Sequence, residues 1–123
     1  IPTEHREFLQ SGLQDFYENG THFCVHANAR EDLALKDQPE RMLFWKKFVN
    51  VKPHRSGKVM VCGHTPQRNG YPKDLGHAIC IDTAAARQGW LTCLDLDSRY
   101  CWQASETGKT RAFSLDASDR IAM

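Results

Sequence analysis

Three short stretches of this chain are apolar at both odd and even positions: residues 23–25, 59–62 and 78–81. In the second, Val59 and Val61 alternate with Met60 and Cys62; in the third, Ala78 and Cys80 alternate with Ile79 and Ile81. Strands of this kind belong in a sheet covered on both faces. The pattern predicts strands over 22–27, 58–63 and 78–81. It also predicts a hairpin of 90–96 with 100–104 turning at Asp97-Ser98, and an edge strand over 111–115. Phe8, Leu9, Leu13, Phe16 and Tyr17 recur at helical spacing, with Pro2-Thr3 as a start and Asn19-Gly20 as a stop, which predicts a helix over 3–18. Pro39 opens a second expected helix through Phe48, with Met42, Leu43 and Trp45 near its buried stripe. The segment between, 28–38, reads as a polar loop anchored by Leu33 and Leu35. Two helices can cover only one face of a five- or six-stranded sheet, so something else is expected to cover the other.

Composition narrows the class. The chain has 123 residues, 41% hydrophobic and 25% charged, in keeping with one globular domain or part of one. A net charge of +1 gives no field that would favour nucleic acid or a membrane surface. No apolar run approaches the roughly 20 residues that span a bilayer. The chain starts at Ile1 without methionine and reads as a fragment, a trimmed piece or a processed product. Five cysteines, an odd number with no CxxC pair, argue against a disulfide framework and against a zinc ribbon. They read as buried reduced thiols, which favours a reducing, cytoplasmic compartment.

The chemistry lies where the strand runs end. Phe23-Cys24-Val25-His26 and Val61-Cys62-Gly63-His64 each carry an apolar strand to a histidine. The rim of a sheet is where α/β sites are usually built, and imidazole is the commonest metal ligand. Cys24 with His26, and Cys62 with His64, stand two residues apart, so strand alternation would put each pair on one face and a Cys₂His₂ site is conceivable. No nucleophile elbow and no Gly-rich phosphate loop occurs.

The order of these pieces resembles the C-terminal half of phosphoprotein-phosphatase-like metallophosphatases, in the calcineurin-like phosphoesterase superfamily. The matching segments are Phe23-Cys24-Val25-His26-Ala27, Phe44-Trp45-Lys46-Lys47, Val61-Cys62-Gly63-His64-Thr65-Pro66, Ile79-Cys80-Ile81-Asp82-Thr83 and Gly89-Trp90-Leu91-Thr92-Cys93-Leu94-Asp95. The resemblance spans about residues 1–103. It implies an α+β fold: a mixed sheet of about five strands with helices on one face, half of a four-layer αββα sandwich. Residues 1–123 would then be a single partial domain. It implies two divalent metals (Mn, Fe or Zn) in the full enzyme, with a bridging hydroxide attacking a phosphomonoester in line. It further implies that His26 and His64 are ligands of the second metal and that Lys47 binds phosphate where several relatives place an arginine. The substrate would be a phosphorylated protein, as for serine/threonine phosphatases, or a small phosphoester.

The family's Asp-x-His-Gly, Asp-Arg-Gly and Asn-His-Glu motifs do not occur, so the general acid and the other metal ligands are missing. The chain alone is therefore expected to contain no catalytic residue, to bind no metal tightly and to be inactive, its partner being the missing N-terminal half or a second copy of itself. The alternative is a non-catalytic module dimerising through an exposed sheet face.

Some residues carry two readings. Asp82 can accept from a ligating histidine or cap the turn at Thr83; Thr65 can bond near the site or stabilise its own turn; Asn28 can orient substrate or cap a turn. Lys47 can equally be one of a solvated lysine pair. His5, His54 and His77 read as surface residues, and the three tryptophans as packing residues.

Overall fold

The computed structural model describes residues 1–116. Its centre is a five-stranded mixed sheet in the order β1-β2-β3-β5-β4. The strands are β1 (Tyr17–Glu18), β2 (His22–Cys24), β3 (Val59–Cys62), β4 (Lys73–Asp74) and β5 (Ala78–Cys80). β2, β3 and β5 run parallel, while the two-residue edges β1 and β4 are antiparallel to their neighbours. Three further strands, β6 (Trp90–Leu94), β7 (Tyr100–Ser105) and β8 (Thr110–Ser114), form a separate antiparallel meander. The domain is thus α+β with a mixed five-stranded sheet, as expected. The hairpin, however, does not extend that sheet.

Alternation along the parallel strands sorts their side chains into two cores. Phe23, Val25, Met60, Cys62, Ala78 and Cys80 share one cluster with Leu35, Leu43 and Phe48 from the connecting segments. On the opposite face Ile79 packs with Cys101 and Leu115, flanked by Val59, Ile81, Leu94 and Phe113. The face for which the sequence offered no cover is therefore packed by the chain's own meander.

Arg111 ties the meander to the 67–71 turn. Its guanidinium lies 4.3 Å from the ring centre of Tyr71 and 4.0 Å from that of Trp90. It also donates to the carbonyl of Gly70 at 2.8 Å. The stack and the fork use the planar geometry that distinguishes arginine from lysine.

The helices depart most from expectation. α1 (Thr3–Ser11) stops where Gly12 donates to the Phe8 carbonyl at 2.8 Å, and it buries no residue. Phe8, Leu9 and Leu13 are exposed, while Phe16 reaches the core only because the chain has already turned toward β1. The helical spacing was real, but among the described residues no surface buries that face. The second helix reduces to one wide turn, Arg41–Trp45, with π-type winding. It breaks at Lys46, whose backbone is extended (φ −69°, ψ 126°), and Leu43 is its one buried side chain.

Candidate metal-ligand pair at the sheet edge

β2, β3 and β5 end at Cys24, Cys62 and Cys80, and two residues past each end stand His26, His64 and Asp82. The parallel register pairs Cys24 with Val61 and Cys62 with Cys80, so all three polar residues lie along one edge of the sheet. That is the carboxyl edge, the usual place for sites in parallel sheets. The main chain fastens it: Gly63 donates to the His26 carbonyl at 2.8 Å.

The imidazoles meet. His26 Nε2 lies 3.2 Å from His64 Nδ1, and His64 Nε2 lies 3.1 Å from the Trp45 carbonyl. A carbonyl only accepts, so His64 donates from Nε2, and in the neutral imidazole that leaves Nδ1 as an acceptor. His26 must then donate from Nε2. Burial, then the neighbouring His64, holds the His26 pKa below its ordinary value, against a smaller opposing pull from Asp82. The neutral form is the one a metal needs.

The spacing can be tested against an ion. Two neighbouring nitrogen ligands at about 2.0–2.1 Å from one metal lie roughly 2.9–3.4 Å apart. The 3.2 Å separation of Nε2 and Nδ1 falls in that interval. The bond from His64 Nε2 to the Trp45 carbonyl is of the kind that orients a ligating histidine. The donors that converge here are only these two: among the described residues no group of three or more His, Cys, Asp or Glu could hold a metal ion.

This also disposes of the Cys₂His₂ arrangement. Strand alternation ends at Gly63 because His64 adopts a left-handed backbone (φ 66°), which turns its ring away from the face of Cys62. Cys62 stays in the core beside Cys80. The Cys80 hydrogen bond and burial push the Cys62 thiol up. The same bond pulls Cys80 toward about 7. Yet carbonyl oxygens of Gly63 and Thr65 face the Cys80 sulfur at 3.5 and 3.3 Å, and they are satisfied by a protonated thiol rather than a thiolate.

The flanking residues take these places. Thr65 Oγ1 accepts from the Phe48 amide at 2.8 Å, tying the His64 turn to the segment after Trp45. Asp82 Oδ1 accepts from the Ala84 amide at 3.1 Å, the turn-capping role. Asp82 also remains close enough to His26 to act on it electrostatically. Asn28 is buried and donates to the Lys47 carbonyl at 2.9 Å, fixing the backbone beneath that exposed lysine. A groove of about 260 Å³, lined by Phe16, Tyr17, Phe44 and Cys24, opens beside His26. Another hollow, about 430 Å³, lies on the outer face of the meander, lined by Leu91, Cys93, Trp102, Gln103, Arg111 and Ala112 among others.

Trp45, Trp102, His54 and Cys93 differ from the sequence reading. Trp45 is 71% exposed and stands edge-on to His64, with ring centres 6.2 Å apart. His54 is buried: Nδ1 accepts from the Ser56 amide at 3.1 Å, Nε2 donates to the Leu33 carbonyl at 2.6 Å, and its ring packs against Phe23. The His-x-Ser spacing, which allows that local bond, was the available signal. All five cysteines are free, three of them buried, but Cys93 is exposed on the outer face of β6.

No family model matches this chain, and neither the curated proteins nor the solved structures contain a match. No helix among the described residues is long and apolar enough to cross a membrane.

Proposed function

We propose that this chain is the C-terminal half of a two-metal phosphoesterase of the calcineurin-like kind, acting on phosphomonoesters such as phosphoserine or phosphothreonine. The observation that carries the reading is the pairing of His26 Nε2 and His64 Nδ1 at ligand spacing, past the ends of adjacent parallel strands. His26 and His64 hold one side of the second metal, and the other donors come from outside the described residues. Neutral imidazoles suit Mn, Fe or Zn. When bound, the ions supply an activated water and neutralise charge on the phosphoryl oxygens. Lys47, exposed and without an ion pair among the described residues, attracts phosphate as a point charge rather than a fork. Asp82 lends negative charge to the ligand edge.

The test is a phosphatase assay with excess Mn²⁺ on two proteins: this chain, and the chain extended by a segment carrying the missing carboxylate motifs. This chain should show no turnover. The extended chain should be active and lose activity with either His26→Ala or His64→Ala. Activity indifferent to both substitutions would refute the reading.

A second reading has its own support. Leu91 is 68% and Trp102 48% exposed on the outer face of the meander, beside Cys93 and Ala112. We infer from this face the alternative of a non-catalytic module that dimerises through it. Sedimentation velocity over a rising concentration series decides: a monomer throughout removes this alternative.

A further inference from the structure

We propose that Cys80 is a positioning residue, whose thiol braces the strained turn that presents His64. His64 sits at the centre of a γ-turn: its φ is 66°, and the Thr65 amide donates to the Gly63 carbonyl at 2.7 Å. The positive-φ form of this turn is rare and strained, and a non-glycine residue persists there only when its surroundings over-determine it. Here they do. The Gly63 amide is anchored on the His26 carbonyl at 2.8 Å, and Gln67 Nε2 holds the Thr65 carbonyl at 2.8 Å. Phe48 holds the Thr65 hydroxyl at 2.8 Å.

These contacts grip the two sides of the turn separately. Cys80 spans both. Its single S–H is shared between the carbonyls before and after His64, at 3.5 and 3.3 Å. The parallel register sets Cys80 opposite Cys62, the last residue of β3, so its side chain reaches the point where the chain leaves the sheet. Cys80 is 0% exposed, so no water can replace the thiol. Cys62, the other buried thiol of this cluster, meets Cys80 rather than the turn carbonyls.

The brace matters because His64 Nδ1 meets His26 Nε2 only while the turn holds. Its consequence for metal binding rests on the ligand reading above, but the brace itself does not. Two readouts on the full chain keep these apart. The first is NMR of the metal-free protein: ring nitrogen signals of His26 and His64, and the amide-to-Hα coupling of His64. Cys80→Ala should remove the signature of the His26 Nε2–H bond and change the His64 coupling, and Cys80→Ser should restore both. The second is Zn²⁺ affinity, expected to fall about 10- to 100-fold in Cys80→Ala, the range for residues that orient a ligand.

Ring signals and coupling unchanged in Cys80→Ala overturn the proposal. If the NMR changes appear while Zn²⁺ affinity is the same with and without the thiol, the brace stands and its consequence for metal binding falls. Cys80→Val, similar in shape and lacking a donor, serves if the alanine variant does not fold. The Raman S–H stretch reads the thiol with Cys80 itself in place. A lowered band that survives Cys62→Ala supports the brace, and bands only at the free-thiol position overturn it.

Discussion

His64 shows what one residue can and cannot reveal in sequence. Its position after a buried run was legible, and so was its partnership with His26, because both end strands of the same kind. Its left-handed backbone was not, since that arises from contacts with Phe48, Gln67 and Cys80 that are distant in sequence or type-neutral. The strain yields a prediction. A left-handed backbone costs an L-residue about 1–2 kcal/mol and glycine almost nothing. His64→Gly should therefore be more stable than His64→Ala by about 1 kcal/mol in urea denaturation, although glycine normally loses to alanine. Equal midpoints would mean that the turn relaxes once the imidazole is gone. Asp95 offers a second residue-level case. Its carboxylate accepts the amides of Asp97 and Ser98, and these bonds, the Asp97 amide first, hold its pKa below the ordinary carboxylate value. A carboxyl with a lowered folded pKa contributes stability that is fully present above its unfolded value, near 3.9, and lost as pH falls through the folded value. Asp95→Asn should thus be less stable than the parent at pH 7, and the gap should close in strong acid; the check is paired denaturation curves at both pH values.

Elements were legible in proportion to how much of their pattern the fold uses. The three parallel strands and the β6–β7 hairpin carry their own burial, and they formed where expected. β1 and β4 are only two residues each and have no pattern to read; their neighbours recruit them as edges. The helix over 3–18 was over-read because periodicity reports an apolar stripe and says nothing of a partner for it. Helices shorter than about 12–15 residues are marginal in water unless packed, and α1 has nine residues, none buried. Deleting residues 1–12 should therefore shift stability by no more than about 0.5 kcal/mol, the usual range for surface changes. A larger loss would show that the exposed Phe8 and Leu9 pack in solution. The meander behaves oppositely. Arg111→Lys keeps the charge but loses the stack on Tyr71 and Trp90 and the divided hydrogen bonding to Gly70 and Gln103, and should cost about 2 kcal/mol. Circular dichroism melts of the two variants make the comparison, with the lysine variant melting well below the truncated one.

At the scale of the molecule, the question is whether the two sheets form one cooperative body. Sequence showed two-faced strands but not what covered the second face, because the covering residues, Cys101, Phe113 and Leu115, lie more than twenty residues downstream in strands that read equally well as further members of the first sheet. The junction is narrow. Ile79 of β5, 1% exposed, is the central-sheet residue most deeply buried in it. The sheet edge at His26 and His64 draws its rigidity from the first core, while the second holds the meander on. Tryptophans report from both sides: Trp45 stands beside His64 and Trp102 on the outer meander. If the junction couples the sheets, chains retaining only one of these tryptophans should unfold in urea at the same midpoint, as a two-state domain requires. Ile79→Ala should then lower both midpoints together, by about 2–5 kcal/mol of stability for the lost side chain and its cavity. Separate transitions, with Trp102 released first and Trp45 unmoved by Ile79→Ala, would mean that the parallel sheet and its histidine pair stand without the meander.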